Sequence, residues 1–155
     1  MSTPNSLTRV LLQVEPTDWH SVGSETLWAT PLGHNQYRLE NSPFYARGYS
    51  YLDVVLTDKG DEQAVPVVRQ ALRKSGHSTY AIWVQSGIES NGQFAEFWQP
   101  LEDIGCSFEG VRGQLLSVDV PATTDVSTAF RLMQAAEDRG VWSFQEQDYG
   151  HPNAA

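Results

Sequence analysis

The apolar positions change rhythm near the middle of the chain. Up to about residue 75 they come in short runs: Arg9 to Glu15 (RVLLQVE), closed by Pro16; residues 25–33 (ETLWATPLG); and residues 36–41, where Tyr37 and Leu39 alternate with Gln36, Arg38 and Glu40. A period of two marks half-buried strands, and the Gly and Asn of PLGHNQ suit a hairpin connection. Another strand is predicted in YLDVVLTD, residues 51–58, ending in the turn-rich DKGDEQ. The next segment, AVPVVRQALRKSG, carries two signals. β-Branched Val65, Val67 and Val68 favour a strand, whereas Val68 and Leu72, with basic Arg69, Arg73 and Lys74 before Gly76, suit a helical turn. A strand entering a helical turn is expected. Five short strands in about 75 residues predict a small, bent antiparallel sheet or partial barrel.

From Ser78 the periods lengthen. A strand, STYAIWVQ, is followed by Phe94, Phe97, Trp98, Leu101 and Ile104 at helical spacing, with Ser90 or Asn91 as cap and Gly105 as stop. Pro100 removes a backbone donor inside that helix and is expected to kink or split it near Glu96. Two strands, CSFEGV and QLLSVDV, form a hairpin through Arg112 and Gly113. A second helix then carries Val126, Ala129, Phe130, Met133 and Ala136 on one stripe, with Thr124 or Asp125 as cap and Gly140 as stop. The final strand, VWSFQEQDY, puts Trp142 and Phe144 on one face. The order βαββαβ is the ferredoxin-like pattern, an antiparallel sheet with both helices on one face. The expected class is therefore α+β. A β-rich subdomain spans residues 1–77, and an acidic ferredoxin-like subdomain spans 78–155, ending in a short flexible tail.

Composition narrows the class further. With 155 residues, 40% apolar and only 19% charged, the chain can bury roughly two-thirds of its unfolded surface without staples. Its single cysteine, Cys106, excludes an intrachain disulfide and points to a small buried hydrophobe. No apolar run reaches the roughly 18 residues of a membrane span, and the polar start MSTPNSLT lacks a signal-peptide pattern, so a soluble cytoplasmic protein without membrane attachment is expected. The net charge is −9 and is unevenly placed. Residues 1–78 carry 7 basic and 8 acidic side chains, while residues 79–155 carry 3 and 11, a net of −8. Nucleic acid is disfavoured, because phosphate binding needs a basic face. A protein partner with a basic surface is favoured by the same field.

Candidate chemistry is sparse. KSGHSTY groups hydroxyls with His77 at the expected boundary, yet no orienting acid or oxyanion donors can be read around it. Its Gly and hydroxyls equally suit a structural handover between elements. His20, His34, His77 and His151 are scattered without metal-ligand spacing, and no GxGxxG, P-loop or GxSxG run occurs, so neither metal nor cofactor is expected. Carboxylate pairs recur at Glu102 and Asp103, Glu137 and Asp138, and Glu146 and Asp148. Such pairs are far more often a solvated face than a catalytic dyad. As a face, Glu102, Asp103, Glu109, Glu146 and Asp148 are candidate partner contacts. NSPFYARGYSYLDVV, residues 41–55, reads as a sheet corner: Pro43 ends a strand, Phe44 turns to the core and Gly48 permits the turn. Tyr45, Arg47, Tyr49 and Tyr51 stay as candidates for an aromatic contact surface.

Several stretches together resemble a known family. Leu27-Trp28-Ala29, Tyr37-x-Leu39-x-Asn41, Pro43-Phe44, Asp53-Val54-Val55 and Ser75 to Thr79 are similar to the pattern of the bacterial domain-of-unknown-function family 4265, over residues 9 to about 145. The chain departs from that pattern in the tyrosine-rich YARGYSYL between Pro-Phe and Asp-Val-Val. The resemblance implies no activity, since the family is uncharacterised. By class-level analogy alone, small acidic bacterial proteins of this kind serve as immunity proteins encoded beside toxins. The expected function is thus a non-enzymatic binding protein, an immunity or antitoxin protein that docks an acidic surface on a cognate toxin domain and blocks its active site. The alternative is a small-ligand protein or enzyme with a pocket between the subdomains around His77.

Overall fold

The computed structural model describes residues 6–17, 20–59, 64–85, 92–110 and 114–152. The chain parts into two compact units between Ser75 and Gly76. Among the described residues there are nine strands, all paired antiparallel within two sheets, and two helices. The class is α+β.

The first unit is a five-stranded meander: β1 (Thr8–Gln13), β2 (Ser24–Gly33), β3 (Gln36–Leu39), β4 (Val54–Thr57) and β5 (Val68–Arg73), each hydrogen-bonded to the next. His34 and Asn35, with φ of 55° and 60°, form the tight β2–β3 link after Gly33. Two successive left-handed residues give a hairpin turn the twist its strands need. Leu11 donates its N–H to the Pro66 carbonyl at 2.8 Å and bridges Val67, so the first strand meets the start of the last. Val10, Leu12, Leu27, Ala29, Leu39, Val55 and Val68 form the core. The helical turn expected near Leu72 does not form. Residues 68–73 pair with β4 throughout, and Leu72 is 45% exposed, so Val68 and Leu72 never made an apolar stripe that a helix could bury.

The second unit runs β6 (Ser78–Val84), α1 (Gln93–Asp103), β7 (Ser107–Glu109), β8 (Leu115–Val120), α2 (Val126–Asp138) and β9 (Trp142–Asp148), with sheet order β7-β8-β6-β9. Alternate residues of the central strands, Tyr80, Ile82 and Val84 with Leu116, Val118 and Val120, share a core with Trp98 and Leu101 of α1 and Val126, Ala129 and Met133 of α2. Both helices therefore use the same sheet face. The Trp142 indole N–H donates to the Met133 carbonyl at 3.0 Å, satisfying the polar atom of a ring that is 1% exposed.

Helix ends follow their sequence cues in part. Asp125 caps α2, accepting the Ser127 N–H at 3.1 Å. Gly105, at φ 104°, closes α1 while the Cys106 N–H reaches the Leu101 carbonyl at 3.0 Å. Gly92 occupies the N-cap of α1. Ser90 and Asn91, expected there, lie outside the described residues, as do Arg112 and Gly113 of the expected hairpin. Pro100 does not divide α1, which is continuous from Gln93 to Asp103. Pro100 and Glu96 are both exposed, so water can satisfy the carbonyl that the proline leaves unpaired. No helix among the described residues is long and apolar enough to cross a membrane.

Candidate functional site

The aromatic stretch 41–55 is organised by two carboxylates. Glu25, on β2, receives the backbone N–H groups of Phe44, Tyr45 and Ala46 at 2.9, 2.6 and 2.8 Å. Asp53 is fully buried. Its Oδ2 accepts the Ser50 N–H at 2.9 Å and the Lys74 ammonium, and its Oδ1 accepts the Ser75 N–H at 2.8 Å. Lys74 also donates to the Gly48 carbonyl at 2.9 Å, and the Ser75 hydroxyl donates to the Tyr51 carbonyl at 2.6 Å. Between these anchors Leu52 sits at φ 69°, a left-handed conformation that only a well-fixed neighbourhood sustains in a residue with a branched side chain.

The same clamps decide the tyrosines. Tyr45 and Tyr49 are half-buried against the first core, and the Tyr45 ring lies 4.6 Å from that of His20. Burial raises the Tyr49 phenol above its ordinary range, with Lys74 pulling the other way. Tyr51 is half-buried and Arg47 is exposed. It is Tyr45 and Tyr49, more than Phe44, that cover the core at this corner. Nothing local in SETLWA marks Glu25 as an anchor, because its partners lie 19 to 21 residues away.

His77 belongs to a buried polar cluster of the second unit. Its Nδ1 is 2.8 Å from Asp119 Oδ1, and burial raises the Asp119 carboxyl while the His77 hydrogen bond opposes the rise. Ser78, fully buried, lies 2.6 Å from His151 Nδ1. His151 Nε2 faces the carbonyls of Pro121 and Thr124 at 2.8 and 3.1 Å, so that nitrogen carries the proton. In the neutral ring Nδ1 then accepts from the Ser78 hydroxyl. The Ser78 oxygen in turn accepts the N–H groups of Gly150 and His151 at 3.0 and 3.3 Å. A serine with no exposure and every hydrogen-bonding direction filled has no access to a substrate. Ser78 and His151 are 73 positions apart, beyond the reach of any local pattern.

The acidic candidates occupy different parts of the second unit. Glu102 and Asp103 are exposed at the C-terminal end of α1, and Glu109 is exposed on β7, one edge of the sheet. Glu146 and Asp148 are on β9, the opposite edge. A register shift after Thr79 leaves Tyr80 opposite Glu146, and the Tyr80 hydroxyl donates to Glu146 Oε1 at 3.4 Å. This pair sits in a cleft of about 270 Å³ between α2 and β9, with Phe130 and Tyr149 on its walls. The sequence marked Glu146 as a surface charge but gave no sign of the cleft, which needs a helix and a strand end side by side.

With the geometry in place, comparison with known proteins assigns the family. The model of a family described as a domain of unknown function (DUF4265) matches residues 25–144. The chain belongs to this family. No curated protein matches the sequence. A solved structure, the novel crystal structure of a hypothetical protein from Neisseria gonorrhoeae, is similar over 96% of this chain and 99% of its own, with a TM-score of 0.79 at 16% identity. At that identity the likeness concerns fold. Within this DUF4265 chain, the residues that carry the resemblance do structural work. The Asn41 side chain accepts the Trp28 N–H at 2.9 Å, Asp53 holds Ser75, and Ser78 holds Gly150 and His151.

Proposed function

We propose that this DUF4265 protein is a cytoplasmic immunity or antitoxin protein, which docks the acidic surface of its second unit on a basic toxin domain and blocks that domain's active site. One observation carries the reading. Carboxylates at both helix ends, exposed at Glu102, Asp103 and Asp138 and half-buried at Glu137, take side-chain hydrogen bonds from neutral amides: Gln99 serves Glu102 and Asp103, and Gln134 serves Glu137 and Asp138. In the first unit, by contrast, Glu40, Asp53 and Asp58 are paired with Arg38, Lys74 and Arg69. Carboxylates at a helix C-terminus also oppose the helix dipole, at a cost of roughly 0.3–1 kcal/mol each. Charge kept in such places, with no basic residue in the last turn of either helix, suits a partner that brings one. For architecture, the antiparallel order β7-β8-β6-β9 with a helix after β6 and another after β8 supports reading the second unit as ferredoxin-like. The bridge from Leu11 to Val67 supports a partial barrel for the first.

The test is co-expression with the product of the adjacent reading frame, followed by purification. Growth rescue and a complex whose association slows at least about 10-fold on combining Glu102→Lys, Asp103→Lys and Glu109→Lys are expected. Absence of both rescue and complex, or an association rate indifferent to the charge reversal, would overturn the proposal. The alternative, a ligand site or enzyme around His77, has less support, because the His77 side chain is 15% exposed with its Nδ1 engaged by Asp119.

A further inference from the structure

We infer that the cleft between α2 and β9 is a binding site for an organic ammonium group carried on an apolar stem, of which a lysine side chain is the model. Four features of its lining point there. First, Phe130 and Tyr149 are 44% and 43% exposed although large and aromatic, and both border the cleft. Each offers ring surface to an occupant, and the negative face of an aromatic ring attracts a cation within about 6 Å. Second, Phe130 is not a loose side chain, since its ring packs edge-on against Phe144 at 5.2 Å. The wall is preformed, which lowers the entropy lost on binding.

Third, Glu146 supplies a carboxylate inside the cleft. Its hydrogen bond from Tyr80 is long, at 3.4 Å, so lone pairs stay available for a stronger charge-assisted donor. Tyr80 is itself held as a neutral phenol, because burial and the adjacent Glu146 both raise its pKa. It can therefore orient the carboxylate without competing for its charge. Fourth, Arg131, the cation among the described lining residues, is turned to an acid outside the lining. Arg131 Nη2 donates to Thr128 Oγ1 at 3.3 Å, and the Thr128 hydroxyl donates to Asp125 Oδ2 at 2.9 Å. Arg131 also lowers the Asp125 carboxyl electrostatically, after the Thr128 and Ser127 hydrogen bonds that dominate. Glu146 is thus the charge of the described lining left facing the cleft, with Arg131 drawn towards Thr128 and Asp125.

The shape agrees with the chemistry. Val126, Phe130 and Glu146 border a cleft of about 270 Å³, room for a short alkylammonium chain. The register shift beside Thr79 is the kind of irregularity that re-aims side chains at sheet edges, and here it precedes the Tyr80 and Glu146 pair. The inference goes beyond the proposed docking role and does not depend on it, because a small cation tests it without any protein partner.

The experiment is an amide NMR titration of the full chain with n-pentylammonium, with n-pentanol and pentanoate as neutral and anionic counterparts. Saturable shifts confined to residues around Tyr80, Phe130, Glu146 and Tyr149, at least about 10-fold weaker with pentanol, are expected. Glu146→Gln should weaken pentylammonium binding about 10-fold, Phe130→Leu less, and the combination of Glu102→Gln with Asp103→Asn not at all. An unchanged amide spectrum away from the cleft verifies the fold of each variant. Equal binding of pentanol, tighter binding of pentanoate, no saturable shifts, or an unaffected Glu146→Gln variant would each overturn the site. The docking proposal would survive any of these, and its own failure would leave the titration unaltered.

Discussion

Asp53→Asn isolates the clamp that fixes the tyrosine-rich corner. The carboxylate uses both oxygens, Oδ2 for the Ser50 N–H and the Lys74 ammonium, Oδ1 for the Ser75 N–H. An amide of the same shape can present its oxygen to one side only, and its NH2 then confronts a donor on the other. The loss is one or two charge-assisted bonds at about 1.5–3 kcal/mol each, plus an unpaired buried N–H at about 1–3 kcal/mol. Lys74 is 37% exposed on its side chain and recovers part of its solvation in water. The balance is a destabilisation of about 3–5 kcal/mol, enough to remove a large part of a typical domain's stability.

Urea unfolding followed together with amide exchange at Ser50 and Ser75 reads that loss both globally and locally. Asp58→Asn is the matched control, because Asp58 pairs with Arg69 where both are about half exposed, and such solvent-screened pairs contribute little. If Asp53→Asn lies within about 1 kcal/mol of the parent, and Ser50 and Ser75 exchange no faster, the corner is not held by this carboxylate and the structural account of residues 41–55 fails.

Two further perturbations test the second unit. Gly150→Ala should destabilise it severely, because a Cβ there would lie 2.0 Å from the His77 carbonyl oxygen, whereas Gly23→Ala, with open space around it, should be nearly neutral; paired thermal melts decide this. Cys106 is buried and its thiol is pushed up to about 12, first by desolvation and then by Asp119. Because the folded pKa is the raised one, the thiol's contribution is complete below the unfolded value and is lost as pH climbs towards the folded value. Between pH 8 and pH 10 the parent should lose roughly 1 kcal/mol relative to Cys106→Ala, and equal pH slopes in denaturant melts would refute it.

How far the sequence was legible depends on the range of the interactions involved. The α2 stripe is written within a few turns, and Val126, Ala129, Met133 and Ala136 are buried as read with Asp125 as the cap, whereas Phe130, read on the same stripe, is 44% exposed. At residues 68–73 the local signals conflict, and pairing with β4 settles them, which no local window contains. For a related reason Pro100 does not split α1: on an exposed helix face water can satisfy the carbonyl that the proline leaves unpaired.

The candidate sites show the same dependence more sharply. Exposed carboxylates were recognisable, because adjacent acids at helix ends are a local pattern. The groups that fix the geometry were not: Glu25 acts on residues 19 to 21 positions away, Asp53 on Ser75, and Ser78 on His151 at 73. These contacts turn the two stretches richest in reactive side chains, 41–55 and 75–79, into framework. Chemical richness in a sequence therefore marks two different things here. Polar side chains with filled, buried hydrogen bonds hold the chain in place, as Asp53 and Ser78 do. Glu146, with a long bond to Tyr80 and exposed rings beside it, keeps capacity for a ligand. The criterion separating them is spare hydrogen-bonding capacity at an accessible surface, and it singles out the α2–β9 cleft over His77.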